Sequence, residues 1–567
     1  MKTRENVISD IKKLVKEPGY IYCLSLLVCE NFTIYLDDFE QLDNRNLINL
    51  NEISLLLGFL VNDKIDFTYP ILENLLEMKK QSEALLSELH DFYKTLFTEK
   101  LDEEIKTNPN PEDYDRAKKE FFRKGDILSE AIFYSGTGAY DFQCSKFLDD
   151  KYKHDIQWLI DNKDFFLDKS KNIINEIKKV QNRKINEISP EQIASHNNLT
   201  KKEFKELIGE DELYSYFDRF ARNVNHDTFP MKEKLIKKIQ ENTCNSLLDL
   251  FIIEKSNFKS EDKIDSFLKN FSLIPDDGIN CTFEGIGSFN IVNARPIIQF
   301  DEKNFIIFDN FTIYESVYNS PFYWMIDDED YIDKSLKNRG EIGEEITLNL
   351  LSIIDNCDVY KSVKVKKGRN DFTDIDVLCV SKNRAIVLQV KSKKLTELAR
   401  KGDDEQLIKD FKGAIQDAYE QGKKSRKSIL NNGYKFFDED NNEIYFNNIN
   451  EVYIMGIVTE DYPSLTFQSN TLLEREREDP FPLFVSIFDL DLITYFLDDA
   501  DIFFDYVKKR TDYADKIVCE DEISILGMYL DSGFPEIGDK NLIIVLGYES
   551  YIGSIYLPLM DYGIHWL

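Results

Sequence analysis

The segment "FTDIDVLCVSKNRAIVLQVKSKK" (372–394) constrains the fold more than any other stretch of this chain. Two runs rich in Ile, Val and Leu flank the polar turn "SKNR", the pattern of an antiparallel hairpin with buried strands. Four polar residues interrupt it. Strict alternation puts Asp374 and Asp376 on one face of the first strand, with Ile375 and Val377 on the other. Gln389 and Lys391 likewise share a face of the second strand, and hairpin pairing sets the two groups about one strand spacing apart. Burying an unanswered amide or ammonium is costly, so these residues imply partners.

The surroundings supply candidates. "GEIGEEITLNLLSII" reads as a helix, "DVYKSVKVKK" as a strand before the hairpin, and "DDEQLIKDFKGAIQDAYEQGKKSRKSIL" as a long helix after it. "EVYIMGIVT" is a further strand and "PLFVSIFDLDLITYFL" a strand–helix pair. The order is αβββαβ, an α/β (mixed α+β) core with a mixed sheet flanked by helices. The first helix places Glu341, Glu344 and Glu345 within one turn. Converging carboxylates suit a hard divalent cation, and a lysine beside it stabilises charge on a phosphoryl group. Each feature has a plainer explanation. Glutamates favour the start of any helix, Asp374 suits a turn, and a lysine at a strand end reaches for water. Their joint occurrence in this order favours the chemical reading.

Composition narrows the class. With 567 residues, 42% of them apolar, and 41 Phe and 29 Tyr, the chain has material for several packed domains. Four regions are expected: a mainly helical accessory domain over 1–235, a small β-rich connector over 236–335, the core over 336–510, and an α/β extension over 511–567. In the first, the stripe Ile71, Leu75, Met78, Ser82, Leu85, Leu89, Phe92 and Leu96 suits packing inside its own domain, or a coiled-coil dimer. "TNPNPEDYDRAKKEF" reads as a loop and helix start, and "YSGTGAYDF" as a turn. No membrane-length apolar run and no secretion signal is visible, so a cytoplasmic protein without membrane association is expected. The eight cysteines lack a Cys-x-x-Cys pair and lie away from the five histidines, which predicts reduced thiols rather than zinc or disulfides.

Charge is uneven. The chain carries −33, yet residues 361–430 hold 18 Lys and Arg against 10 Asp and Glu, leaving −41 for the remainder. A basic island in an acidic protein is an address for a polyanion.

These motifs resemble the PD-(D/E)XK nuclease superfamily, in the branch shared by Mrr-type restriction endonucleases and nuclease-related-domain proteins. The resemblance spans roughly 336–500. In that branch the third strand commonly ends in Gln-x-Lys rather than Asp/Glu-x-Lys, which resembles Gln389-Val390-Lys391. The strand aspartate matches Asp376, with Asp374 as auxiliary, and the helix glutamate matches Glu344, with Glu341 and Glu345 as rivals. A polar residue of the following helix matches Gln416 or Gln421, which spacing does not separate. The resemblance implies a restriction-endonuclease-like fold and an endonuclease that hydrolyses DNA. Asp376, Gln389, Lys391 and Glu344 would be catalytic, with Asp376, Gln389 and Glu344 holding Mg²⁺ or Mn²⁺. Lys393, Lys394, Arg400, Lys401, Lys423, Lys424, Arg426 and Lys427 would grip phosphates. It further implies prokaryotic restriction or anti-phage defence, with a homo-oligomer or a defence partner as companions. RNA cleavage, or a weak or inactive module that binds nucleic acid or protein, is the alternative.

Overall fold

The computed structural model describes residues 3–32, 48–95, 133–134, 141–187, 200, 230–258, 261–276, 278–309, 311–446, 448–460, 462, 465, 469, 472–476, 478–519, 521–535 and 543–544. Leu96, "TNPNPEDYDRAKKEF", most of "YSGTGAYDF" and most of the chain after 535 lie outside them. The described residues form two compact units, one drawn from Met1–Thr95 and Ile156–Pro321, the other from Leu96–Asp155 and Phe322–Ile564. Among the described residues, no helix is long and apolar enough to cross a membrane.

The first unit is built mostly of helices. Arg4–Leu14 is capped by Thr3, whose side chain accepts from the Asn6 amide. Leu72–Thr95 packs against Arg4–Leu14 and Tyr20–Phe32. Leu75, Met78, Ser82 and Leu89 of its stripe are buried within the unit, and the Tyr20 and Ser82 hydroxyls are hydrogen-bonded at 2.7 Å. Ile71 stands 64% exposed, and Leu85 and Phe92 are half-buried, so the stripe is covered in part. Four short strands form a small sheet, among them Ile297–Gln299 and Asn304–Ile306. "FTIYESVY", which alternates like a strand, lies instead in the helix Phe311–Ile326, whose Thr312 amide is accepted by Asp309. β-branched and aromatic content misleads there, because local capping and packing override propensity.

The second unit contains α1 (Asp141–Tyr152) and α2 (Ile332–Leu351). Helix α2 begins seven residues before Arg339, in what reads from sequence as a connector. The hairpin strands are β1 (Asp358–Lys367), β2 (Asn370–Ser381) and β3 (Arg384–Lys391). Helices α3 (Asp404–Phe411) and α4 (Asp417–Leu430) follow, joined through a π-helical turn at Lys412–Gln416. Then come β4 (Tyr434–Phe437), β5 (Glu443–Ile444), β6 (Glu451–Val458), β7 (Leu483–Ser486) and α5 (Ile487–Phe496). The strands form one mixed seven-stranded sheet in the order β7-β6-β3-β2-β1-β4-β5. Pairs β3–β6 and β6–β7 are parallel, and the others antiparallel. The hairpin β4–β5 extends the sheet beyond the order expected from sequence.

Both faces of the sheet are covered. Val363, Val365, Ile375, Leu378, Ala385 and Val387 pack with Ala414, Ile415, Ala418 and Tyr419 in one fully buried cluster. Each buried Val, Ile or Leu among them contributes about 1.5–3 kcal/mol by leaving water. Helix α2 packs on β1, β2 and β3. Cys357 and Cys379 form a disulfide, which corrects the expectation of reduced thiols for this pair. The antiparallel register Val359↔Cys379 brings them together, and sequence spacing does not display that.

Candidate active site

Two glycines set the helices close to the sheet. A Cβ on Gly343 would lie 2.6 Å from Thr459 Cγ2 and 3.2 Å from Val390 Cγ1, so α2 approaches the end of β3 only because that position is bare. A Cβ on Gly422 would lie 2.5 Å from Ile454 Cγ2, which sets α4 against β6 in the same way. Each glycine adjoins a candidate side chain, Glu344 on α2 and Gln421 on α4.

The strands open where the candidates meet. The β2–β3 register ends at Val377↔Leu388. Beyond that pair, Asp376 Oδ2 accepts the Val390 amide at 2.7 Å, and Gln389 Nε2 donates to the Asp374 carbonyl at 3.1 Å. Gln389 is buried, and its Oε1 accepts no hydrogen bond from the described residues. Lys391 Nζ donates to Gln421 Oε1 at 2.8 Å. Strict alternation fails in β2: Ile375 and Leu378, of opposite parity, pack in the same cluster. A flat strand would set Gln389 and Lys391 face to face with Asp376. Instead Asp376 is tied to the β3 backbone and Lys391 leans to α4.

The carboxyls interact. Burial raises the proton affinity of Glu344 first, and the neighbouring Asp376 charge raises it further. A hydrogen bond donated by Ser362 Oγ to Glu344 Oε2 at 3.2 Å, together with Lys361, opposes the rise. Burial also raises Asp376, against the Val390 amide and the Lys391 charge, while Asp374 adds to the rise. Both carboxyls are partly buried, and a positive charge beside them would favour their ionised forms.

The remaining candidates separate. Glu345 pairs with Lys153 and Glu341 with Lys337 at 3.6 Å. The Asp374 side chain is exposed. Gln416 donates to the Glu474 carbonyl at 2.9 Å and accepts the Glu474 amide at 3.0 Å, so Gln421 is the helix glutamine that reaches Lys391.

The basic residues also divide. Lys424 and Lys427 are exposed, and Arg400 is half-buried. Lys393 pairs with the buried Asp410 at 3.2 Å, Lys401 with Glu397 at 2.9 Å, and Lys423 with Asp479 at 2.6 Å. Arg426 Nε donates to the Val452 carbonyl at 3.0 Å. Lys394, only 12% exposed, pairs at 3.1 Å with Glu460, which also takes Arg339 Nε at 2.7 Å and Lys151 at 3.3 Å. Burial alone would raise the Glu460 carboxyl, but its three cations outweigh that and hold it well below the carboxylate range. Sequence reasoning missed this hub and Ser362. An acid ending the apolar strand "EVYIMGIVTE" was a signal for the first, whereas "KSVKV" carries none for the second.

A mixed sheet between helices, with an aspartate, a glutamate and a lysine gathered where two strands part, defines a nuclease-like α/β core. Residues 339–457 match the model of the nuclease-related domain (NERD) family. Comparisons with curated proteins and with solved structures returned no match. Among the described residues, no group of three or more His, Cys, Asp or Glu is placed to hold a metal ion.

Proposed function

We propose that this nuclease-related domain hydrolyses phosphodiester bonds of DNA with Mg²⁺ or Mn²⁺. The observation that carries the reading is the geometry where β2 and β3 part: Asp376 accepts the Val390 amide at 2.7 Å, Gln389 is buried beside it, Lys391 is held by Gln421 at 2.8 Å, and Ser362, opposite Asp376, reaches Glu344 at 3.2 Å. Two carboxylates and the Gln389 oxygen suit Mg²⁺, which takes few protein ligands and keeps water and substrate phosphate as the others. When bound, the cation would polarise the phosphate and acidify a water. The chain's own groups do the rest. Asp376 and Glu344 provide the charge that holds the cation, and Gln389 adds a neutral oxygen. Lys391, steadied by Gln421, sets its ammonium where negative charge develops on the phosphate. Lys424 and Lys427, on the exposed side of α4, track the backbone without reading sequence. The setting we propose is prokaryotic restriction or anti-phage defence, by analogy with nuclease folds joined to large accessory regions.

The test is a cleavage screen of supercoiled, linear, single-stranded and methylated DNA, and of RNA, with Mg²⁺ and with Mn²⁺. DNA cleavage is expected, stopped by EDTA and abolished by Asp376→Ala and by Lys391→Ala. Undiminished cleavage in both variants overturns the site. Salt-sensitive binding without cleavage under either cation replaces hydrolysis with a binding role.

A further inference from the structure

We infer that Ser362 is a positioning residue for the Asp376–Glu344 pair, acting through a kink in β1 and the hydroxyl it donates to Glu344. The inference rests on the cation reading above and names what builds that site.

Ser362 lies inside a strand, yet its φ is 51°. Strand residues sit near −140°, and the left-handed region favours glycine. The register of β1 with β2 passes from Lys361↔Val377 to Val363↔Ile375 without pairing Ser362 to Asp376, the residue opposite it. The kink changes which way the neighbouring side chains point. Tyr360 and Val363, three residues apart, both pack on the cluster beneath α4, and so do Ile375 and Leu378 across the ladder. Alternation counted back from Leu378 would aim Asp376 into that apolar cluster. Counted forward from Ile375, it aims Asp376 to the opposite face, where α2 carries Glu344. Ser362, the residue opposite Asp376, reaches Glu344 Oε2 at 3.2 Å, and opposed residues of a ladder share a face, so the second sense is the one realised.

Glycine would adopt this backbone with less strain, so the choice of serine needs a reason. The hydroxyl provides one. It gives Glu344 a donor that holds one carboxylate oxygen, leaving the other for a ligand. An acidic residue here would repel both carboxylates, and an apolar one would leave Glu344 without this donor.

The test uses full-length wild type, Ser362→Ala and Ser362→Gly. Ser362→Ala removes the hydroxyl and keeps the strained backbone, whereas Ser362→Gly removes both. Mn²⁺ affinity is measured by electron paramagnetic resonance without nucleic acid, stability by urea unfolding, and the Mg²⁺ concentration for half-maximal DNA cleavage by titration. Both variants should bind Mn²⁺ about tenfold more weakly and need correspondingly more Mg²⁺, as loss of an outer hydrogen bond does at metal sites. Ser362→Gly should be at least as stable as Ser362→Ala, so stability and affinity part company. Unchanged affinity in both variants of a Mn²⁺-binding wild type overturns the role of Ser362 alone. Loss in Ser362→Ala but not in Ser362→Gly overturns the role of the hydroxyl. A wild type that binds no Mn²⁺ overturns the cation reading, and this inference with it.

Discussion

Gln416 and Gln421 stand five residues apart on one helical stretch, and only Gln421 meets Lys391. A regular helix would already give the two different directions, but which one faces the site depends on phase. The π turn Lys412–Gln416 shifts that phase between α3 and α4, and its presence is not encoded in any hydrophobic period. The consequence is a sharp contrast between two similar substitutions. Gln421→Ala should lower kcat for DNA cleavage by about 10–100-fold, because a loosened ammonium misses the developing charge. Gln416→Ala should leave kcat within about twofold and act on the docking of the segment around Glu474. Equal losses in the two variants, measured under saturating cation, would contradict the assignment of Gln421. The same residue scale shows why Glu344 could not be chosen over Glu341 and Glu345 by spacing. All three lie within one turn, and only packing aims Glu344 at Asp376 while Glu345 takes Lys153.

Among the elements, helix starts were the least legible feature. Helix α2 begins at Ile332, inside an acidic run that resembles a linker, because burial of Ser335 and Asn338 rather than apolar period places its first turns in the unit. Capping, by contrast, is local chemistry. The helix Leu50–Leu60 begins with a reciprocal box in which Asn49 and Glu52 each accept the other's amide. Glu52 is buried, which raises its carboxyl to about 7 against the Asn49 amide. The sign follows from linkage. The unfolded chain ionises Glu52 first, so stability is lost as pH rises from the ordinary carboxylate value through about 7. Glu52→Gln retains an acceptor for Asn49 and removes the buried charge. It should be more stable than wild type by about 2–3 kcal/mol at pH 8 and nearly equal at pH 4, read from urea midpoints. A constant difference across that range would show that Glu52 does not titrate there.

For the whole molecule, the family match stops at residue 457 while the compact unit does not. Helix α1, nearly two hundred residues upstream of Arg339, is part of it. Gln143 bonds the Phe488 carbonyl at 2.8 Å, Lys146 pairs with Asp491 at 2.5 Å, and Lys151 joins the Glu460 hub. Burial brings Lys151 down to about 7 despite Glu460, so the hub depends on its carboxylate to keep three cations in place. Glu460→Ala should cost about 3–5 kcal/mol in urea unfolding, since it leaves buried positive charge uncompensated. A loss below about 1 kcal/mol would mean that the cations find other partners. Charge at this scale also separates the basic island into exposed and acid-paired parts. Lys424→Ala with Lys427→Ala should reduce the slope of log affinity for DNA against log salt by about 2, whereas Lys394→Ala should alter stability more than slope. Equal slopes in wild type and the double variant would remove α4 from the DNA track.

The hairpin, its four polar residues and the αβββαβ order were legible because period, turn residues and β-branched content act within a few residues of each other. The nuclease resemblance followed from that local order, and the match over 339–457 agrees with it. What the tertiary structure alone decided is which members of each candidate set meet. Glu344, Gln421 and Ser362 gather near Asp376 and Lys391 through two close-packed glycines, a helix phase shift and a kinked strand. Lys393, Lys394 and Lys423 each meet an acid that stands 17 or more residues away in sequence. Such pairings depend on where separate elements come to rest, and no local pattern carries that information.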